Sequence, residues 1–278
     1  MVVSIKSNSS ALIALQQLNA VNKELDSVQE RIASGYRINE AKDGASSYAV
    51  AQKQRAEKDG YDAVDQSVQR GINILDVSIR ALETLSNLLI EMKTKAVQAS
   101  NPALSATDRQ LIDTSYQSYV AQISTVINAA TYDNFNLIDK NPVTPATDDL
   151  RIISEPTASA ANAIVIPAIN IKTSTSDMLG DLSTLANATA ESTAIDAMQQ
   201  AVNSALATLG ASNSRLETHS GFVKKLQDSL SLGIGKLVDA DLGFESARLR
   251  ALQVQQQLSS QALQIANSRP QQILSLFG

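Results

Sequence analysis

A seven-residue apolar repeat near the start of the chain limits its fold more than any other feature. The apolar positions recur at alternating steps of three and four residues, which is typical of a helix that packs along a narrow seam. Ser9 or Ser10 is placed to cap this helix, and Gly35 is placed to end it. So narrow a seam predicts one partner helix and not a broad core. The repeat consists of Ala11, Ala14, Leu18, Val21, Leu25, Val28 and Ile32.

The other end of the chain carries a second apolar stripe with the same steps of three and four. It follows "GIGK" at 233–236, which we interpret as a hinge. From Gln253 to Ser268 the chain is rich in glutamine and has no charged residue. Side-chain amides can be buried in an interface without the desolvation cost of a charge. We therefore predict that the two terminal helices pair with each other. The stripe consists of Ala240, Phe244, Ala247, Ala251, Val254, Leu258, Ala262 and Ile265.

The middle of the chain combines long helices with one short segment of different character. The segment 131–175 holds four of the six prolines and two β-branched runs, "LRIIS" and "AIVIPAINI", which predict short strands. It is too short for a core of its own. We predict a mainly α fold, with a terminal antiparallel coiled coil, a long-helix bundle and a small β/loop excursion in the middle of the chain. The inner helices are expected at about 45–58, 63–100, 107–130 and 193–232.

Composition argues against most functions other than a structural one. The net charge of −5 disfavours nucleic acid as a partner. The sequence has no cysteine, and its single histidine, His219, cannot form a two-histidine zinc site. Asp239, Asp241 and Glu245 are better explained by the dipole at a helix start than by a metal. We therefore predict no enzymatic activity, no cofactor and no metal.

Membrane insertion is also disfavoured. The longest apolar run is far below the ~18 residues that span a bilayer, and no secretory signal is evident. An exported pore-forming protein is a rival hypothesis, but surface-seeking helices carry basic and aromatic residues that 253–268 lacks.

Two long segments resemble the terminal signatures of bacterial flagellins. They are "ALIALQQLNAVNKELDSVQERIASGYRINEAKDGAS" and "GIGKLVDADLGFESARLRALQVQQQLSSQALQIANSRPQQILSLF", and the resemblance covers about 1–138 and 190–278. It implies a secreted subunit that polymerises with itself into the extracellular flagellar filament used for swimming. It further implies type III export, with an export chaperone, the filament cap and hook-junction proteins as partners. The alternative is a hook–filament junction protein with similar termini.

The resemblance also divides the chain into regions. It implies a terminal coiled-coil domain at 1–34 and 237–278, and spoke connectors at 35–46 and 233–236. An inner helical bundle occupies 47–138 and 190–232, and a short variable β/loop region occupies 139–189. A hairpin is implied at "YDNFNLID", where Leu137 replaces the family's usual glycine and is expected to alter the turn.

Assembly is the mechanism that the resemblance implies. The terminal helices are marginal alone, so we expect them to fold as neighbouring subunits pack. An interface that does not close on itself gives an open helical filament. We expect the contacts at Leu18, Val21, Leu25, Val28, Ile32, Val254, Leu258, Ile265, Leu276 and Phe277, with the first five packing on the next three.

One departure concerns the innate-immune flagellin receptor. The family's receptor site corresponds to "LIEMKTKAVQ" at 89–98. Glu91 stands where the family has a key arginine, and Lys95 where it has leucine. We predict that this receptor does not recognise the chain.

Overall fold

A computed structural model describes residues 8–139, 149–157, 162–171 and 180–277, with side chains described as far as Ser268. These residues form two compact units, one of 1–56 with 229–278 and the other of 57–228; we call them the terminal unit and the central unit. The described residues confirm the predicted mainly α fold with one small sheet. The elements are α1 (Ser9–Ser34), α2 (Ala45–Ala99), α3 (Ala106–Ala129), β1 (Leu150–Ile152), β2 (Ile164–Ile166), α4 (Leu185–Val238) and α5 (Leu242–Phe277).

Helix α1 begins one residue earlier than the serine caps predicted. Its N-cap is Asn8, whose side-chain oxygen accepts a hydrogen bond from the Ala11 N–H at 3.1 Å. It ends as predicted at Gly35, which has a φ of 74°, a left-handed conformation that glycine adopts without a steric penalty. The Gly35 N–H donates to the Arg31 carbonyl at 2.9 Å.

Helices α2 and α4 are longer than predicted. Helix α2 runs unbroken through Gly60, so the predicted break at 59–62 is wrong. This glycine serves packing, because a Cβ there would lie 2.6 Å from Pro156 Cβ. The hinge predicted at 233–236 is also wrong, since α4 continues to Val238. Although glycine weakens a helix interior, burial of Val238 holds this last turn in place.

The chain leaves α4 at Asp239–Asp241, where it pairs with the segment that follows α1. Tyr36 and Asp239 form an antiparallel bridge. The Ile38 N–H donates to the Val238 carbonyl at 3.2 Å, and the Ala240 N–H donates to the Gly35 carbonyl at 2.9 Å. We call this arrangement the connector joint. A small core beside it contains Ile38, Ala51 and Val238, with Tyr48, Ile234 and Leu237 partly buried.

A carboxylate orders the loop of the connector joint. The Asp43 carboxylate accepts hydrogen bonds from the N–H groups of Asn39 and Glu40 at 3.1 and 3.0 Å. These two bonds lower the pKa of Asp43 below its usual value. The bonded carboxylate stabilises the turn above pH ~4. That contribution is lost as the pH falls through the lowered pKa.

The central unit buries one large core among α2, α3 and α4. Helices α2 and α4 run antiparallel, since Lys93 Nζ contacts Asp196 at 2.6 Å while Gln227 contacts Asp62 at 2.8 Å. The buried Arg109 of α3 donates to the Ala99 carbonyl at the end of α2. The fully buried large side chains include Leu75, Leu82, Leu85, Leu89, Met92, Tyr116, Ile123 and Ile127.

The β excursion shares that core. Strands β1 and β2 are antiparallel, with Leu150 opposite Ile166 and Ile152 opposite Ile164. On each strand these two residues are buried and the residue between them is exposed. The four buried side chains belong to the same apolar cluster as the helices. The excursion is therefore a covering layer of the bundle in the part of 139–189 that the structure describes.

The turn at "YDNFNLID" forms despite the missing glycine. Asp133 and Asn134 take positive φ values of 50° and 63°, which these two residue types tolerate better than most. Leu137 lies after the turn and is fully buried. At the position where the resemblance implies glycine, the Leu137 side chain therefore fills the core.

Buried polar groups hold the chain as it enters α4. Tyr116 donates its hydroxyl to Glu191 at 2.9 Å, and the Gly180 N–H donates to the other oxygen of that carboxylate at 2.8 Å. Burial, and then the adjacent Glu191 carboxylate, raise the pKa of Tyr116. This tyrosine is therefore a permanent hydrogen-bond donor at any physiological pH.

Candidate assembly site

Helices α1 and α5 form an antiparallel pair within the terminal unit. Asn8 lies against Ala266, Asn22 against Gln256 at 2.7 Å, and Glu24 forms an ion pair with Arg248. Residue numbers rise along one helix as they fall along the other. The predicted pairing of the two terminal helices is therefore confirmed.

The side of α1 that faces α5 is the one that the heptad repeat predicts. Val21, Leu25 and Val28 are buried against Leu252 of α5. Ile32 and Leu249 pack beside them and are partly buried, and Leu18 is half-buried. Among the described residues, this apolar cluster contains four buried side chains, so the pair has a thin core.

The larger residues in the second half of the stripe predicted for α5 are not buried against α1. Val254, Leu258 and Ile265 are 55%, 59% and 62% exposed, so the prediction that they pack against the first helix is wrong. Two residues along a helix turn a side chain to nearly the opposite face, and α5 buries Leu252 in place of Val254. Its buried side continues through the small residues Ser259 and Ala266, which hydrophobicity alone does not identify. We call Val254, Leu258 and Ile265 the outer ridge.

An apolar groove lies beside the outer ridge, between α1 and α5. Its volume is about 490 Å³, and Ile13 on its α1 wall is 66% exposed. No charged side chain lines it. The lining residues are Ser10, Ile13, Ala14, Gln17, Ser259, Ala262, Ile265 and Ala266.

Among the side chains that the structure describes, the half of the helix pair away from the connector joint is uncharged. Residues 8–22 of α1 and 251–268 of α5 have no charged side chain. Nearer the connector joint, Arg31 contacts Glu245 at 3.3 Å, and the Glu245 side chain is almost fully buried. Among the described residues, Glu245 Oε2 has no hydrogen-bond partner. The ridge and groove thus lie on the uncharged half, where exposed apolar surface faces little competing charge.

Several further predictions concern residues away from this surface. The side chains of Leu276 and Phe277 lie outside the described residues. In the receptor-like segment, Glu91 is exposed and Lys95 is half-buried. Within the described ranges, no group of histidine, aspartate or glutamate side chains is placed to hold a metal. The same ranges contain no helix long and apolar enough to cross a membrane.

Comparison of the fold with solved structures gives the class of protein. The crystal structure of Bacillus cereus flagellin matches with a TM-score of 0.51 and 25% identity, over 56% of this chain and 88% of that one. A Vibrio parahaemolyticus chain assigned as a flagellar hook-associated protein matches with a TM-score of 0.59 and 14% identity, over 71% of this chain and all of that one. The fold is therefore that of flagellar proteins of the filament and hook.

Sequence comparison then identifies the family. Residues 5–142 match the bacterial flagellin N-terminal helical region, and residues 192–277 match the bacterial flagellin C-terminal helical region. The chain is 39% identical to flagellin FljO of Caulobacter vibrioides, over 99% of this chain and 98% of the relative. It is 38% identical to a flagellin of Brucella melitensis, over 99% of each. The chain belongs to the bacterial flagellins, the secreted subunits of the extracellular flagellar filament.

Proposed function

We propose that copies of this chain polymerise by burying the outer ridge of α5 against neighbouring copies. The observation that carries the proposal is the exposure of Val254, Leu258 and Ile265 on a helix whose opposite side is already packed. Aligned apolar side chains on an uncharged surface are typical of a protein interface. A second copy is the partner that membership in a filament family supports.

The seam residues have a different role in this proposal. Leu18, Val21, Leu25, Val28 and Ile32 hold α1 against α5 within one chain, and so present the ridge. We propose that Leu276 and Phe277 also take part in assembly. Because the seam has a thin core, we propose that the terminal helices become fully ordered only as neighbouring copies cover them.

Substitution of Leu258 by aspartate tests the ridge. Leu258→Asp places a charge in the proposed contact, where burial of an unpaired carboxylate is strongly unfavourable, and we expect no filaments. Polymerisation is induced with a kosmotropic salt and scored by electron microscopy. The thermal transition of the central unit, followed by circular dichroism, is expected to be unchanged.

Gln257→Asp is the matched control. It introduces the same charge one residue away, on an exposed position of α5 outside the ridge, and we expect filaments to form. Filament growth by Leu258→Asp would contradict the ridge proposal. Loss of filaments in both variants would show that charge anywhere on this helix is excluded, and that the ridge has no special role.

The same experiment separates filament subunit from junction protein. A junction protein occupies a few sites and is not expected to grow long filaments alone, whereas a flagellin is. The fold likeness to the Vibrio parahaemolyticus chain keeps the junction alternative in view. The near full-length identity to flagellins favours the filament subunit.

The remaining partners follow from the family. We infer that an export chaperone, the filament cap and hook-junction proteins bind this chain, and that it has no catalytic role. Glu91 is exposed at a position where the family's receptor site carries arginine. A carboxylate there reverses the charge offered to a receptor, and this supports the proposal that the innate-immune receptor does not bind.

A further inference from the structure

The last turns of α5 contain a proline within the helix. Helix α5 continues from Leu242 through Pro270 to Phe277. Proline has no backbone N–H, so Pro270 cannot donate the usual helical hydrogen bond to the carbonyl four residues earlier. That carbonyl belongs to Ala266.

The Ala266 carbonyl receives a hydrogen bond from α1 instead. Asn8 Nδ2 donates to Ala266 O at 2.8 Å, across a separation of 258 residues in sequence. Ala266 is only 8% exposed, so water has little access to this residue. A buried carbonyl without a donor is costly, and the asparagine amide is the donor that the helix itself lacks.

Asn8 uses both ends of its amide at this point. Its Oδ1 caps α1 by accepting from the Ala11 N–H at 3.1 Å, while its Nδ2 reaches α5. The side chain is therefore held by two bonds in opposite directions. The neighbouring carbonyl, that of Ile265, accepts a further side-chain hydrogen bond from the Ser268 hydroxyl of the same helix at 3.0 Å.

We propose that Asn8 is a positioning residue that sets the register of α1 against α5, by supplying the N–H that Pro270 withholds from the Ala266 carbonyl. A slide of either helix by one residue would move Asn8 away from the carbonyl that Pro270 leaves without its helical donor. Residues 8–22 and 251–268 contain no charged side chain that could fix the register through an ion pair. In this part of the pair, the register is instead fixed by the hydrogen bond from Asn8 to Ala266 and by the one between Asn22 and Gln256.

The register determines the shape of the proposed assembly surface. Ala266 and Ile265 form one wall of the apolar groove, and Ser10 and Ile13 form the other. Asn8 lies at the end of that groove and fixes the two walls relative to each other. The predicted effect on filament stability rests on the proposed function. The effect on the register does not, because the hydrogen bond lies within one chain.

A double-mutant cycle between positions 8 and 270 tests the proposal. Asn8→Ser keeps an oxygen that caps α1 but removes the amide donor. We expect filaments of this variant to dissociate several degrees below the wild type, as followed by circular dichroism at 222 nm. Pro270→Ala restores the helical N–H to Ala266, so in that background we expect Asn8→Ser to have little effect.

The coupling between the two substitutions distinguishes this role from general support of the helix. Loss of the cap or of packing would cost the same in both backgrounds, because Pro270→Ala restores neither. An equal loss in both backgrounds would overturn the proposal.

A second readout does not depend on polymerisation. The chain has no cysteine, so Asn22→Cys with Gln256→Cys gives one pair of thiols at positions that are in contact. A short thiol cross-linker should join them, and Asn8→Ser should reduce the yield. Absence of wild-type filaments would contradict the proposed function, whereas a cross-linking yield unaffected by Asn8→Ser would contradict the register proposal.

Discussion

At the scale of single residues, the glycines within the helices differ in what they do. Gly71 of α2 lies under the β excursion, where an added Cβ would overlap Ile152 and lie 3.1 Å from Leu216 Cδ1. Gly210 of α4 has no atom within 4 Å of the same position. The first glycine permits a close approach, and the second has no packing role within the part of the chain that the structure describes.

Alanine at these two glycines should therefore change stability in opposite directions. Gly71→Ala forces a methyl group against fully buried side chains, and we expect it to lower the free energy of unfolding by about 1–2 kcal/mol, after the gain in helix propensity. Gly210→Ala should raise it by about 0.5–1 kcal/mol. Urea titration followed by circular dichroism measures both. A change of the same sign would show that the approach of Ile152 to α2 is not tight.

At the scale of elements, the β excursion contributes to the stability of the helices. Ile152 is 1% exposed in the core shared with α2 and α4, while the next residue, Ile153, is 45% exposed. The Ile153 N–H donates to Ser67 Oγ of α2, and the Ser154 carbonyl lies 3.2 Å from His219 Nε2 of α4. The end of β1 is thus bonded to both long helices.

Truncation of Ile152 should consequently destabilise the whole central unit. We expect Ile152→Ala to reduce the free energy of unfolding by about 2–4 kcal/mol, because it leaves a cavity in the core. Ile153→Ala, on the adjacent exposed position, is the control and should cost less than about 0.5 kcal/mol. The helical signal at 222 nm is the measurement. Equal effects of the two substitutions would mean that the excursion is not part of the core.

Sequence patterns predicted the elements unequally, for physical reasons that particular residues show. The heptad on α1 predicted the buried face of that helix, because the apolar residues Val21, Leu25 and Val28 are the ones that pack against α5. On α5 the apolar residues Val254, Leu258 and Ile265 are exposed, whereas Ser259 and Ala266 are buried, because small side chains let two helices approach. A prediction from hydrophobicity therefore identifies the exposed stripe. The sequence alone does not say which face of α5 packs against α1 of the same chain.

Glycine misled the prediction of breaks for a related reason. Gly60, Gly233 and Gly235 indicate a hinge by composition, yet all three are helical. At Gly60 the reason is the approach of Pro156, which is distant in sequence and cannot be inferred from local propensity. The connector joint could not be predicted from local sequence either, because it pairs two segments about 200 residues apart.

At the scale of the whole molecule, the two units have unequal cores. Among the residues that the structure describes, the central unit buries 31 apolar residues in one cluster. In the terminal unit, the corresponding clusters hold four and three. Because apolar burial is the main source of stability, the terminal unit should open at a much lower free energy than the central unit.

Limited proteolysis should reveal this difference. In the unassembled chain we expect early cleavage within α1 and α5 and a resistant fragment close to 57–228, identified by mass spectrometry. After assembly the terminal helices should become resistant, because neighbouring copies cover them. Early cleavage inside α2 or α3 of the unassembled chain would contradict the proposed order of stability.

The antiparallel pairing of α1 and α5 has a consequence for how the chain is made. The first helix to be synthesised finds its partner only in the last, so a chain that stops before Leu242 has no α5 and leaves the α1 seam open. We expect such a chain to fold its central unit, but it lacks the outer ridge that we propose joins one copy to the next. On this proposal, only chains translated through α5 can join the polymer.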